Sequence, residues 1–293
     1  MYAKESIMSK VKIITDTCCS LSKQEILNLG ADYVQMSILI DDQYFDAFDC
    51  PITDPDQYYA TIKKAKKVST GCVNVQAFTE IFEKYAHQGY DCVYVGLSSG
   101  LSSTYSNAVS AAEYVNKTCG KHIWVADSLT GSFSIAKIVQ EAVKMAAANK
   151  SAQEIWKAID KNGIKTLVYF VPYDLQFLAR SGRLNKIVAT VGAAIKLVPT
   201  LTANNEGKLK LVSKAIGRKK SIKNLHNLLL DKMELNKEEK VYVGHTGQHT
   251  EAEEIAEFIK SIAPNKQVEV GYIDYTMGAC CGPETLAVFA TAK

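Results

Sequence analysis

The chain has 293 residues, 47% hydrophobic and 22% charged, the balance of an ordinary globular protein with enough core for one large or two modest domains. Its 34 basic and 31 acidic residues leave a formal charge of +3, which excludes the basic footprint of a nucleic-acid binder. The densest basic cluster, Arg218-Lys219-Lys220 with Lys214 and Lys223, reads as a solvated helix face, and no run approaches the roughly 18 apolar residues of a membrane-spanning helix.

Residues 11–15 form a short apolar strand, and 20–29 read as a helix capped by Ser20 or Ser22. A second strand is expected at 34–40, with helices at 54–66 and 77–88. Residues 91–97, DCVYVGL, are a third strand; it runs into the serine-rich GLSSGLSSTY before a helix at 105–116. A fourth strand at 123–126 leads to Asp127-Ser128, and helices follow at 134–148 and 152–162. This alternation predicts a parallel sheet with helices on its faces.

The second half reads differently. A strand covers 166–172, a helix begins at 175–179 and breaks at Ser181-Gly182, and 187–195 are apolar and helical. Hairpin strands at 201–202 and 209–213 flank Asn204-Asn205-Glu206-Gly207. A helix at 221–233, a strand at 240–247, a helix at 251–262 and a strand at 267–274 follow. Residues 277–291 read as a glycine-rich turn into an apolar segment. The boundary between two domains falls at residues 162 and 163.

The eight cysteines are Cys18, Cys19, Cys50, Cys72, Cys92, Cys119, Cys280 and Cys281. There is neither a C-x-x-C pair nor a Cys/His ladder, and the first ten residues carry no apolar leader. They are expected to be reduced thiols of a cytoplasmic protein, with no metal site.

Gly96-Leu97-Ser98-Ser99-Gly100 matches the G-x-S-x-G pattern of a nucleophile elbow, on a strand–turn–helix junction as that motif requires. Ser98 would be the nucleophile of an esterase or thioesterase, with Asp127 or Asp174 as the acid and His245 or His249 as the base. No HGGG-type oxyanion loop precedes it. The alternative is an anion site: orphan N–H groups and the positive end of a helix dipole, surrounded by Ser98, Ser99, Ser102, Ser103 and Thr104. The plainest alternative is a simple helix cap.

The same stretch, LSSGLSSTY, resembles the signature of the DegV family of bacterial lipid-binding proteins. The resemblance continues in IITDTCCSLS (residues 13–22), STGCVNVQAF (69–78), FLARSGRLNKIVATVGAAIKLVPTLTANNEGKL (177–209) and GACCGPETLAVF (278–289). It implies an N-terminal parallel-sheet α/β domain (1–162) bearing head-group-binding loops, and a C-terminal α+β domain (163–293) covering an acyl chain. The implied function is non-enzymatic carriage of a long-chain fatty acid, about fourteen to eighteen carbons, with no cofactor. The carboxylate would be held by Thr70 and Ser102, with Ser98 and Ser99 beside them and Arg183 and Cys280 at the same end. Residues 187–198 would form part of the tunnel wall. Another amphipathic anion is the third alternative.

Some members of the family present their acid to a fatty-acid kinase subunit through an arginine and a histidine. Here Ile216 stands at the arginine's place, with Arg218 two residues on, and Cys280 stands at the histidine's. Binding is therefore expected, and efficient coupling to such a kinase is not.

Overall fold

The computed structural model describes residues 10–184, 197–237 and 239–293. Its first sheet is built from β1 (Lys10–Asp16), β2 (Asp32–Val34), β6 (Tyr90–Gly96) and β7 (Ile123–Asp127), all parallel, in the order β2-β1-β6-β7. Helices α1 (Lys23–Asn28), α3 (Val75–His87), α4 (Thr104–Cys119), α5 (Phe133–Ala147) and α6 (Ala152–Ile159) alternate with these strands. Ser22 caps α1 in a reciprocal capping box with Glu25, as Ser151 does for α6 with Glu154. Strand β6 carries a continuous buried run, Cys92 to Val95, because both its faces are covered.

The expected strand at 34–40 is interrupted. It is the end of β2, followed by β3 (Ser37–Ile40), which leaves the parallel sheet. β3 pairs antiparallel with β4 (Gln43–Asp46) and β5 (Val68–Gly71) in a separate three-stranded sheet, with α2 (Pro55–Lys64) inserted before β5. The sequence reading contained neither β4 nor β5, since QYFD and VSTG are short and show no clean apolar alternation.

The second half forms a six-stranded sheet in the order β10-β9-β8-β13-β11-β12. Its members are β8 (Thr166–Pro172), β9 (Leu197–Ala203), β10 (Leu209–Ile216), β11 (Lys240–His245), β12 (Gln267–Tyr272) and β13 (Thr285–Thr291). Only β11 and β12 pair in parallel. α7 (Gln176–Arg180) follows β8, and α8 (Arg218–Lys232) and α9 (His249–Ile262) follow β10 and β11. Residues 277–291 differ from expectation. They end the short helix α10 (Tyr275–Cys281) and then form β13, which sits between β8 and β11 and is buried on both faces. A short apolar run of this kind looks the same in sequence whether it is turn, helix or central strand. The apolar helix expected at 187–195 lies outside the described residues.

The core of the parallel sheet extends onto the six-stranded one, where Phe133 and Ile273 cluster with Tyr242, Ala287 and Phe289, and the six-stranded sheet has a second core on Val241, Val243, Leu286 and Val288. Phe133 stacks on Tyr242 with ring centroids 4.7 Å apart. No helix among the described residues is long and apolar enough to cross a membrane.

Candidate functional site

Strand order in the parallel sheet reverses between β1 and β6, the point at which such sheets open a crevice beyond their carboxyl ends. Three loops converge there: those after β1, β6 and β7. The buried Asp16 ties two of them together. Its carboxylate accepts hydrogen bonds from Cys18 N (2.9 Å), Tyr94 Oη (2.7 Å) and Leu97 N (2.8 Å). Burial pushes the Asp16 carboxyl up from its ordinary value, and these three donors act against that rise.

The serine loop after β6 folds into a tight turn in which Leu101 N and Ser102 N both donate to Ser98 O. Ser99 N donates to Asp127 Oδ1 at 3.1 Å. Ser98 itself is wholly buried. Its hydroxyl donates to Gly207 O (3.0 Å) and accepts from Gly100 N (3.1 Å). The hairpin turn between β9 and β10 thus packs directly on this loop, and the approach requires glycine on both sides. A Cβ on Gly207, whose φ is +68°, would stand 1.9 Å from Ser98 Oγ; one on Gly100 would stand 2.4 Å from Glu206 O.

These contacts do not assemble the triad expected around Ser98 as a nucleophile. Its hydroxyl proton is directed to a carbonyl, and no histidine reaches it. His249 Nε2 lies 2.8 Å from Tyr272 Oη and 3.3 Å from Asp56 Oδ1, while His245 Nδ1 accepts from Gly247 N. Asp127 holds backbone N–H groups, and Asp174 Oδ1 accepts from Gln176 N. Ser98 is also absent from the walls of the cavity described next. It joins the two halves of the chain.

Between the halves lies a cavity enclosing about 870 Å³ of space not filled by atoms, including its opening to solvent. Leu97, Val168, Phe170, Met277, Ala287 and Phe289 are among the apolar residues that line it. Apolar atoms make up nearly all of its surface. At one end stand Thr70, Ser102, Arg183 and Cys280. β5 delivers Thr70, whose Oγ1 lies 3.3 Å from Cys280 Sγ at the end of α10. Ser102 sits just before α4, with its Oγ 2.9 Å from Thr104 Oγ1 and accepting from Thr104 N. Arg183 Nε donates to Leu101 O at 3.1 Å, and another guanidinium nitrogen donates to Ser181 O. Burial raises the Cys280 thiol above its ordinary value, so it is a neutral, weak donor; the Thr70 hydroxyl and the Arg183 charge oppose the rise.

Ser102, Leu101 and Arg183 also line an outer, polar hollow of about 590 Å³ with Ser99, Ser103 and Tyr105. The polar end of the cavity therefore abuts solvent-facing hydroxyls and the N-terminus of the 16-residue α4. Ser99 belongs only to this outer hollow. The other residues considered for the head group stand away. Ile216 ends β10 with 72% of its surface exposed. Arg218 is engaged by Glu284 and Glu251 and lies over the Tyr173 ring. Leu197 and Val198, the described end of the expected 187–198 wall, begin β9 and are not on the cavity surface.

The sequence reading missed the third loop. Thr130, Gly131 and Ser132, just after β7, line the cavity. The signal was present as a second hydroxyl-rich run, ADSLTGS, directly after a parallel strand. Among the described residues, no group of three or more His, Cys, Asp and Glu is placed to hold a metal ion.

The parallel sheet and the six-stranded sheet, joined by loop contacts around an apolar cavity with a hydroxyl-rich end, define a class of two-lobed α/β fold. The chain belongs to the DegV family: the model of that family, described as one of uncharacterised proteins, matches residues 10–293. A DegV domain-containing protein of Clostridium perfringens is 32% identical over 284 residues, covering 96% of this chain and 97% of its own. Among solved structures, a DegV family protein from Ruminococcus gnavus refined with vaccenic acid superposes with a TM-score of 0.83 at 19% identity, covering 96% of this chain and 100% of that one. The fatty acid kinase B3 protein of Streptococcus pneumoniae, loaded with linoleic acid, gives a TM-score of 0.81 at 20% identity, covering 97% and 100% of the two chains.

Proposed function

We propose that the protein binds and carries a long-chain fatty acid, without catalysing a reaction, in the cavity between its two domains. One observation carries the reading: an almost wholly apolar cavity of about 870 Å³ ends at Thr70 and Ser102, two neutral hydroxyl donors. The related structures that hold vaccenic and linoleic acid support the ligand class.

The chemistry is coherent with carriage. Hydroxyl donors bind a carboxylate with charge-assisted hydrogen bonds and no buried counter-cation, so the head group is held and released again. The tail supplies the affinity, at about 0.8 kcal/mol per buried CH₂ and on the order of 10 kcal/mol gross for a long chain. In this reading residues 1–162 supply the head-group loops and residues 163–293 cover the chain. The eight free thiols accord with a reducing cytoplasm.

The test is to extract the purified protein under denaturing conditions and weigh what is released. A co-purified acid of about fourteen to eighteen carbons is expected, and its affinity should fall by about 1–2 kcal/mol in Ser102→Ala and in Thr70→Val. Undiminished affinity in the double variant would remove the head-group assignment. Hydrolysis of a nitrophenyl ester, abolished by Ser98→Ala, would replace the carrier reading with an esterase.

A further inference from the structure

Thr70 is placed by a part of the chain that leaves the parallel sheet. Residues 37–71 run from β3 through β4 and α2 to β5, and Thr70 pairs across the small sheet with Ile38. The buried Ile38, Tyr58, Tyr59 and Ile62 cluster with Phe177 of α7 and Ala279 of α10. Every buried member of that cluster comes from residues 37–71 or from the second half of the chain. The excursion therefore shares its core with the second half. At its root it meets the first half, where Phe48 packs edge-on against Tyr33 with ring centroids 5.0 Å apart and Phe48 N donates to Gln35 Oε1. A polar hollow of about 1040 Å³ of unfilled space, including its opening to solvent, is lined by Ser37, Tyr44 and Asp46 of the excursion and by Asp32, Glu80 and Lys84 of the first half.

The polar contacts of α2 run to the second half as well. Tyr59 Oη donates to Ile273 O at 2.6 Å, and Tyr58 Oη donates to Tyr275 O at 2.9 Å. The rings of Tyr58 and Tyr275 stack with centroids 3.8 Å apart. Lys63 pairs with Glu284, and Asp56 Oδ1 lies 3.3 Å from His249 Nε2. The fit against α10 is close: a Cβ on Gly278 would stand 2.4 Å from Tyr59 Oη. Two residues further on, Cys280 Sγ lies 3.3 Å from Thr70 Oγ1. The two tyrosines thus set the spacing between α2 and α10, and with it the place of the Thr70 hydroxyl.

We infer that the head-group clamp is divided between the lobes: Ser102 belongs to the first, Thr70 rides with the second, and Tyr58 and Tyr59 are the positioning residues that hold Thr70 there. This rests on the carrier reading above and on its assignment of the carboxylate to Thr70 and Ser102. A carboxylate bound by both hydroxyls bridges the lobes. Any play between α2 and α10 shifts one donor relative to the other. A charge-assisted hydrogen bond is short and directional and weakens with such a shift, whereas the apolar grip on the tail does not depend on it.

The test compares hexadecanoic acid with its methyl ester, which keeps the tail and loses the charge. Dissociation constants are measured for the wild type, Thr70→Val, Tyr59→Phe and the double variant. Tyr58→Phe is run in parallel and takes the place of Tyr59→Phe if that variant does not fold. Thr70→Val should cut the preference for acid over ester by about tenfold, the worth of a charge-assisted bond over a neutral one. Tyr59→Phe should cut it by about three- to tenfold with ester affinity unchanged, and should add little on the Thr70→Val background, because it acts through Thr70. If Tyr59→Phe weakens acid and ester alike, changes neither, or adds in full to Thr70→Val, this inference is overturned and the carrier reading stands. If Thr70→Val leaves the preference at its wild-type value, the head-group assignment falls and takes this inference with it. If the wild type binds neither ligand, the carrier reading falls as well.

Discussion

Asp274 accepts hydrogen bonds from Ser20 Oγ (2.7 Å) and Met277 N (2.8 Å), and burial pushes its carboxyl from the ordinary 3.8 up to about 7. His245, buried beside the His249 ring, moves the other way. Burial and then the neighbouring imidazole bring it from 6.5 down to about 4, with Asp56 opposing. The two act oppositely on stability. Between about pH 4 and pH 7 the folded state holds a proton on Asp274 that the unfolded chain has lost; the stability this confers is full below pH 4 and gone above pH 7. Below about pH 6.5 the unfolded chain takes up a proton that folded His245 refuses. That contribution is full above pH 6.5 and lost toward pH 4. In Asp274→Asn the His245 effect is left uncovered, so stability relative to wild type should grow as pH rises from about 4.5 to 7. In His245→Gln it should shrink over the same interval. Urea unfolding midpoints at the two pH values read both differences, and variant curves parallel to wild type would disprove the assignments. Neither residue's titration was legible in sequence, because burial is the largest cause of each shift and burial is set by the fold. Thr70 and Ser102, both on the cavity wall, were named through motif resemblance; Thr130, also on that wall, was overlooked because ADSLTGS belongs to no quoted motif.

At the scale of elements, the parallel strands and most helices could be read from apolar runs, period and caps. The helix at 75–87 shows buried Phe78, Phe82, Tyr85 and Ala86 at helical spacing, and β6 is a plain apolar run. The elements that failed, β4, β5 and β13, are those whose residues answer to tertiary partners rather than to a local pattern. The serine loop illustrates the same limit. Gly96-Leu97-Ser98-Ser99-Gly100 has the spacing of an elbow, but its second glycine is required by the turn at Glu206-Gly207 more than a hundred residues later. This junction gives a further prediction. Ser98→Ala leaves Gly100 N and Gly207 O without their partner and should destabilise by about 1–3 kcal/mol. Gly207→Ala adds a Cβ at positive φ against Ser98 Oγ and Leu129 Cα and should cost more. Because the worst of these contacts is with Ser98 Oγ, the double variant should lose less than the sum of the two. Strict additivity in denaturant unfolding would show that the two loops do not bear on each other.

The two larger sheets are locked across the apolar cavity, and the lock determines what a partner protein meets at its polar end. A carrier that offers its carboxylate for phosphorylation must tolerate the extra negative charge of an acyl phosphate, for which a cation and a proton-sharing imidazole at the mouth are suited. Here the thiol of Cys280 stands 3.3 Å from Thr70 Oγ1, neutral and a poor donor. Ile216 is exposed and carries no charge. Arg218 is already matched by Glu284, which Lys63 also approaches, and by Glu251. Arg183 is the cation at the mouth among the described residues that line it, and its donors are directed to Leu101 O and Ser181 O. The protein should therefore load fatty acid and yet form acyl phosphate slowly when mixed with a purified fatty-acid kinase subunit and ATP. Introducing the missing groups together, Ile216→Arg with Cys280→His, should raise that rate by at least about tenfold, provided the variant's melting temperature and fatty-acid affinity stay near wild type. The value of tenfold corresponds to about 1.4 kcal/mol of transition-state stabilisation, less than one good charge-assisted hydrogen bond. Rapid acyl-phosphate formation by the wild type, or a folded and loaded double variant that gains nothing, would show that coupling to a kinase does not depend on these two positions.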